Sequence, residues 1–161
     1  MPVVLRHNEQ LELNLAEYRG SVSFAELEAV AAFLAANPSF LKRDTLSLVA
    51  PGADFDTVAL GALDQLFGRY KTLYAPMDFQ IVRRSAWICQ SPAAQAHVDY
   101  WLGDRDALEA MSSTLRQAMS FAEAGEWLVL SEVETLALET GVGFTEIARF
   151  DAPPQQASLA R

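Results

Sequence analysis

The sequence predicts an α/β fold: a mixed, mainly parallel sheet covered by helices, with a short C-terminal helical extension. Three observations carry that reading. Short strand-like runs alternate with amphipathic helical runs along the whole chain. Ser-x-x-Glu pairs stand before several of the helical runs, at Ser23 and Glu26, Ser120 and Glu123, and Ser131 and Glu134, the spacing at which a hydroxyl and a carboxylate satisfy orphan amides of a first turn. The chain has 161 residues, 51% of them hydrophobic, enough for one domain with a full-sized core.

In chain order, Val3 to Arg6 and Leu11 to Leu15 read as strands joined by a turn at His7 to Gln10, since Leu11, Leu13 and Leu15 alternate with polar residues. Gly20 breaks the pattern, and the capping pair at Ser23 and Glu26 opens a helix. Phe24, Leu27, Ala31 and Leu34 lie on one face of it, and Asn37-Pro38 stops it. Thr45 to Val49 is the next strand, closed by the turn Ala50-Pro51-Gly52. Asp54 or Asp56 is the expected cap of a second helix, along which Leu63, Leu66, Phe67, Tyr70 and Tyr74 form a stripe as far as Pro76.

Phe79 to Arg83 and Ala86 to Gln90 are both strand-like, as two strands or as one broken near Arg84-Ser85. Ser91-Pro92 suits a helix start, with Ala94, Val98, Trp101 and Leu102 facing inward, Gly103 closing the helix, and a further helical turn between Asp104 and Met111. Thr114 to Met119 reads as a short strand. The two late capping pairs then open helices, one carrying Ala124, Trp127 and Leu128 and the other Leu136 and Leu138. The expected organisation is a domain over 1–130, an extension over 131–150 and a loose tail over 151–161, where DAPPQQASLAR has too little apolar content to fold.

Twelve basic residues against 21 acidic ones make a formal charge of -9, a field that repels nucleic acid and anionic membrane. The segment LALETGVGFTEIA has helix-turn-helix spacing, but Glu132, Glu134, Glu139 and Glu146 outnumber Arg149, so DNA binding is rejected there. No apolar run approaches the roughly 18 residues of a membrane span, and a single cysteine fits a reducing compartment. The expectation is a cytoplasmic protein with no cofactor.

The order strand, strand, helix, strand, helix, strand, helix, strand, helix resembles the SpoIIAA-like or STAS domains of bacterial anti-sigma-factor antagonists. In that family the second helix opens with Asp-Ser-Ser/Thr-Gly-Leu-Gly, whose first serine is phosphorylated by a partner kinase. Asp56-Thr57-Val58-Ala59-Leu60-Gly61 lies in the corresponding place. Asp56, Leu60 and Gly61 match, Thr57 substitutes one hydroxyl for another, and Val58 and Ala59 depart. Gly20 leading into Val22 to Leu27, Asn37 to Phe40, and Ser120 to Leu128 extend the likeness over about residues 1 to 130. The resemblance implies a regulatory module that docks a protein partner through Asp54, Asp56, Thr57 and Leu60, with Thr57 as the phosphosite. A phosphate suits a helix N-terminus, while capping alone also accounts for these residue types.

Other constellations are thinner. Cys89 and His97 offer a nucleophile and a base, but no third orienting group is evident and Cys89 sits in an apolar strand. With His7 and His97 the only histidines, no metal site is expected. Glu12, Glu17, Glu26 and Glu28 have the spacing of wet strand and helix faces, and Asp104 and Asp106 around Arg105 that of a solvated helix start. Arg69, Lys71, Arg83 and Arg84 gather the basic charge of the middle of the chain, as an anion site or as ordinary surface.

Two functional readings from different classes follow. One is a non-catalytic interaction module acting through residues 54 to 60. The other is a carrier of a small apolar ligand, with Phe67, Tyr70, Tyr74, Trp87, Tyr100 and Trp101 lining a pocket. A cysteine enzyme using Cys89 is a third, weaker reading. A homodimer is a further expectation, because Val142, Phe144, Ile147 and Phe150 in the extension need a surface, either this domain's or another copy's.

Overall fold

The computed structural model describes residues 2–77, 82–103 and 105–151. Strands β1 (Val3–Asn8) and β2 (Leu13–Tyr18) precede helix α1 (Phe24–Ala36), and a 3-10 turn at Pro38–Lys42 leads into β3 (Asp44–Val49). Helix α2 (Leu60–Tyr74), β4 (Arg83–Cys89), a 3-10 turn at Pro92–Ala94, α3 (Gln95–Leu102), α4 (Ala107–Met111) and β5 (Ser113–Ala118) follow. Helices α5 (Phe121–Trp127) and α6 (Glu132–Thr140) and strand β6 (Thr145–Phe150) complete it. The six strands form one sheet in the order β5-β4-β3-β2-β1-β6. Its four strands β2 to β5 are mutually parallel, while β1 is antiparallel to both of its neighbours. The α/β architecture and the mixed, mainly parallel sheet are as expected.

The parallel connections advance one place at a time from β2 to β5. A right-handed crossover repeated in one direction returns over the same face each time, so α1, α2, α3 and α4 form a layer on one side. The chain then crosses the opposite face through α5 and α6 and adds β6 at the far edge. Alternate residues point to opposite faces of a strand. Leu13, Leu15, Leu46, Ala86 and Ile88 therefore meet α5 and α6, whereas Ala16, Tyr18 and Val49 meet α1 to α3.

The capping pairs act as read. Ser23 and Glu26 bond reciprocally at the start of α1, and Ser131 and Glu134 do so at α6. At α5 the Ser120 hydroxyl accepts the Glu123 amide at 3.1 Å. Glu17 and Glu26, expected on wet faces, are buried. Glu26 is held inside its capping box, and Glu17 bonds Arg6 at 2.8 Å and Arg19 at 2.6 Å. Burial pushes the Glu17 carboxyl up, but these two guanidiniums outweigh it and hold the group below the ordinary carboxylate range.

Several expected boundaries shift. The second helix has Ala59 at its cap with no side-chain hydrogen bond there, so neither Asp54 nor Asp56 caps it. From Arg83 the fourth strand runs unbroken through Arg84-Ser85; the strand-like residues Phe79 to Ile81 lie outside the described residues, as do Asp104 and the tail from 152. The extension over 131–150 is only half helical, because Thr145 to Phe150 pairs with β1 as an edge strand. The second helix of the helix-turn-helix spacing is thus a strand. Phe144 packs under α5 and α6, Ile147 and Phe150 pack on the opposite core, and Val142 stays exposed.

Two contacts at the α5–α6 hairpin fix its geometry. A Cβ at Gly125 would stand 2.1 Å from the Thr135 hydroxyl oxygen, so the glycine is what lets the helices approach. Beyond α5, the Leu130 amide reaches the Gly125 carbonyl at 2.8 Å and the Val129 amide reaches Glu126 at 3.1 Å. That is the double closure of a Schellman motif, whose left-handed residue is usually glycine. Gly141 fills the left-handed position after α6 (φ 80°), but a valine fills it here, at φ 60° and 70% exposed. Gly125→Ala is expected to cost about 2 kcal/mol through the clash with Thr135, and Val129→Gly to add about 1 kcal/mol by relieving the left-handed strain. Urea unfolding midpoints of the two variants measure both.

Candidate functional site

The loop from Ala50 to Ala59 is pinned on two sides. From one side the Asp54 amide donates to Gly20 O and Asp54 O accepts from the Val22 amide, both at 2.9 Å. The Asp54 carboxylate takes the Ser21 hydroxyl at 2.9 Å and the Asp56 amide at 3.1 Å. From the other side the Ser91 hydroxyl donates to Ala53 O, and His97 Nε2 donates to Val58 O at 2.7 Å. Ser91, read as a helix cap, thus serves as a tie to this loop instead. Phe55 and Val58 point into the core, leaving Asp56, Thr57 and Leu60 on the surface. The structure brings these three together with the half-buried Asp54 on an ordered loop. It gives Thr57 no cap to make.

Beneath that loop lies a cavity of about 160 Å³ between the sheet and the layer of α1 to α4. Its existence follows from side-chain size. On this face β2, β3, β4 and β5 present the small Ala16, Thr45, Ser47, Ser85 and Ser113 beside the larger Tyr18, Trp87 and Leu115, while Leu13, Leu15 and Leu46 point the other way. Leu27, Leu34, Leu63, Leu66 and Trp101 close it from the helices. Short side chains below and stiff large ones above leave a gap that close packing would otherwise remove.

Of the aromatics expected to line a pocket, Tyr70, Tyr74, Trp87 and Trp101 do so. Phe67 instead packs edge-on to Trp101 at 6.0 Å, and Tyr100 is on the surface, its hydroxyl donating to Asp64 at 2.8 Å. Tyr18, Phe55 and His97 line the cavity as well, and none of the three was expected there from the sequence. Burial pushes the Tyr18 hydroxyl up to about 12, its bond to Ser47 acting the other way. Tyr70 is pushed higher still, first by burial and then by the neighbouring hydroxyls of Tyr18 and Tyr74. These phenols stay neutral and act as donors and acceptors beside the hydroxyls of Thr45, Ser47 and Ser85.

At the amino ends of the strands the cavity is closed by Arg83. Its guanidinium donates to the carbonyls of Leu41 and Met111 and to the Tyr74 hydroxyl, the last at 2.9 Å, and lies 4.5 Å from the centre of the Tyr74 ring. Met111 and Tyr74 end α4 and α2, and Leu41 lies near the end of the first 3-10 turn. A cation is favoured where helix carbonyls converge. The basic group inferred for the middle of the chain is therefore split: Arg83 is buried, Arg84 is exposed, and Arg69 lies 3.6 Å from Glu28.

Cys89 and His97 do not pair. The Cys89 thiol donates to Ser91 O at 3.3 Å, and His97 is turned to Val58. Asp106 caps α4, accepting the Glu109 amide at 3.1 Å. Among the described residues no group of three or more His, Cys, Asp or Glu is placed to hold a metal ion, and no helix is long and apolar enough to cross a membrane. The signal that locates the cavity was present in the sequence as Thr45 and Ser47 alternating with Leu46 and Leu48, a strand with one small, polar face.

Compared with protein-family models, curated proteins and solved structures, the chain finds no match.

Replacing Arg83 with Met leaves the Leu41 and Met111 carbonyls without this donor and is expected to cost about 3 kcal/mol. Arg83→Lys keeps the charge but not the fork that reaches two carbonyls at once, and falls in between. Chemical denaturation of the two variants beside the parent chain gives the order.

Proposed function

We propose that the protein binds a small, largely apolar molecule in the cavity between the sheet and the layer of α1 to α4. The observation that carries this reading is the row of small side chains, Ala16, Thr45, Ser47 and Ser85, opposite Leu27, Leu66, Tyr70 and Trp101. A concave apolar space with a few convergent polar groups is the usual form of a small-molecule site. About 160 Å³ is close to the roughly 150 Å³ of an engineered apolar cavity that takes up benzene. The aromatic rings supply contact area at low entropic cost, and the tyrosine hydroxyls supply orientation.

A second reading, docking of a protein partner on the surface of residues 54 to 60, draws on the resemblance to STAS domains. It is favoured by Leu60, which is 41% exposed at the start of α2, next to a loop held from both sides. Asp56 and Thr57 stand beside it, outside every bond that holds the loop's side chains inward. The two readings are compatible, since Phe55 and Val58 of this loop reach the core next to the cavity.

Small neutral aromatics such as toluene and indole are expected to raise the melting temperature in proportion to their occupancy. Ser85→Leu fills the floor and is expected to abolish that rise while leaving a folded protein; a parent chain whose melting is unmoved by the whole series contradicts the ligand reading. For docking, Asp56→Lys combined with Thr57→Glu is expected to remove captured partners in a pull-down, and an unchanged set of partners refutes it.

A further inference from the structure

We propose that the outer face of the α5–α6 hairpin docks a basic amphipathic helix of another protein. This face lies across the sheet from the cavity and shares no residue with its lining. Among the described residues, the five most exposed large apolar side chains are Met119, Val129, Val133, Leu136 and Val142, each at least 59% exposed. All five belong to this hairpin and its two flanks. Scattered apolar residues are ordinary on a protein surface, whereas a concentration of them marks an interaction site.

The helical period shows which way they point. Leu138 is the buried residue of α6 and marks its inward side. At about 100° per residue, Leu136 and Val133 stand roughly 160° and 140° away from it. A helix that covers one side of a sheet ordinarily carries polar residues there. Val129 adds a second anomaly, holding its left-handed position at φ 60° with its side chain 70% exposed. That conformation is rare for a β-branched residue, and the exposed side chain recovers nothing within this chain. Glycine closes α6 at the equivalent place, Gly141. Backbone strain of this kind clusters where a site uses it.

The charges around the apolar residues select the occupant. From Met119 to Thr145 the chain carries Glu123, Glu126, Glu132, Glu134 and Glu139 and no lysine, arginine or histidine. Among the described residues, the cation that the ring contacts place on the hairpin is Arg116 of β5, over Trp127 at 5.2 Å. Glu132 and Glu139, both exposed, stand two turns apart on one flank of Val133 and Leu136. A second copy brings the same carboxylates and a formal charge of -9, so it is repelled, as is an anionic membrane. A helix with an apolar stripe flanked by lysine or arginine meets both features of the face, its anchors on the valines and leucine and its cations on the glutamates.

The test is fluorescence anisotropy of a labelled amphipathic leucine–lysine peptide of about four helical turns, titrated with the full chain. Two control peptides have the same composition in scrambled order, or glutamate in place of lysine. The amphipathic lysine peptide is expected to bind at least about tenfold more tightly than either control. Val133→Ser combined with Leu136→Ser, both at exposed positions, is expected to weaken it by about tenfold. Val129→Gly is expected to weaken binding severalfold while raising the urea midpoint, which separates docking from folding. If the scrambled peptide binds as well as the amphipathic one, if the serine pair binds as the parent does, or if no peptide binds, the proposal is overturned. A dimer of the parent in sedimentation that the serine pair abolishes gives the face to a second copy and overturns it as well.

Discussion

Three parallel crossovers that advance in one direction must all pass over the same face of the sheet, and the rest of this molecule follows from that constraint. One face receives α1, α2, α3 and α4, and among the strand residues beneath them the small Ala16, Thr45, Ser47, Ser85 and Ser113 stand beside the large Tyr18, Arg83, Trp87 and Leu115. The other face receives only α5 and α6, both short, and meets them with leucine and isoleucine. An all-apolar floor under four helices would have packed solid. The division of residue size between the two faces is what leaves a cavity on the more heavily covered side.

Keeping a gap under a helix layer requires that the layer be held at its ends. At the amino ends of the strands Arg83 does this from within the sheet, gathering a 3-10 turn and the last residues of α2 and α4 on one guanidinium. At the carboxyl ends the ties are neutral: Ser91 to Ala53 and His97 to Val58 fasten the loop before α2 to the segment around α3. The cation sits where helix carbonyls converge and is stabilised by them. The His97 bond to Val58 fastens the loop from the side of α3.

Much of the fold was legible because it rests on local chemistry. A Ser-x-x-Glu spacing produces a cap wherever a helix follows it, and Ser23 with Glu26 and Ser131 with Glu134 behaved accordingly. Strand alternation put Leu13 and Leu15 in a core, but β2 is a central strand buried on both faces, with Ala16 and Tyr18 in the opposite core. The misreadings came where the deciding contact is distant in sequence. Asp54 has the composition of a helix cap, yet its carboxylate is claimed by Ser21, 33 residues earlier. Val129 has nothing of a helix terminator about it, and occupies a left-handed position because the turn into α6 demands one. Arg83 next to Arg84 looks like a basic patch until the pleat sends one inward and the other out.

By itself the sequence determined the alternation of strands and helices, the capped starts of α1, α5 and α6 and the acidic field, since each depends on neighbours within a few positions. Only the tertiary structure decided that β6 closes the far edge of the sheet, that Arg83 is a buried tie, and that Tyr18, Phe55, Trp87 and His97 form one wall. Those outcomes depend on which strands lie side by side. A sheet brings residues 18, 55, 87 and 97 together through pairings and crossovers, and no periodicity along the chain encodes the distance between them.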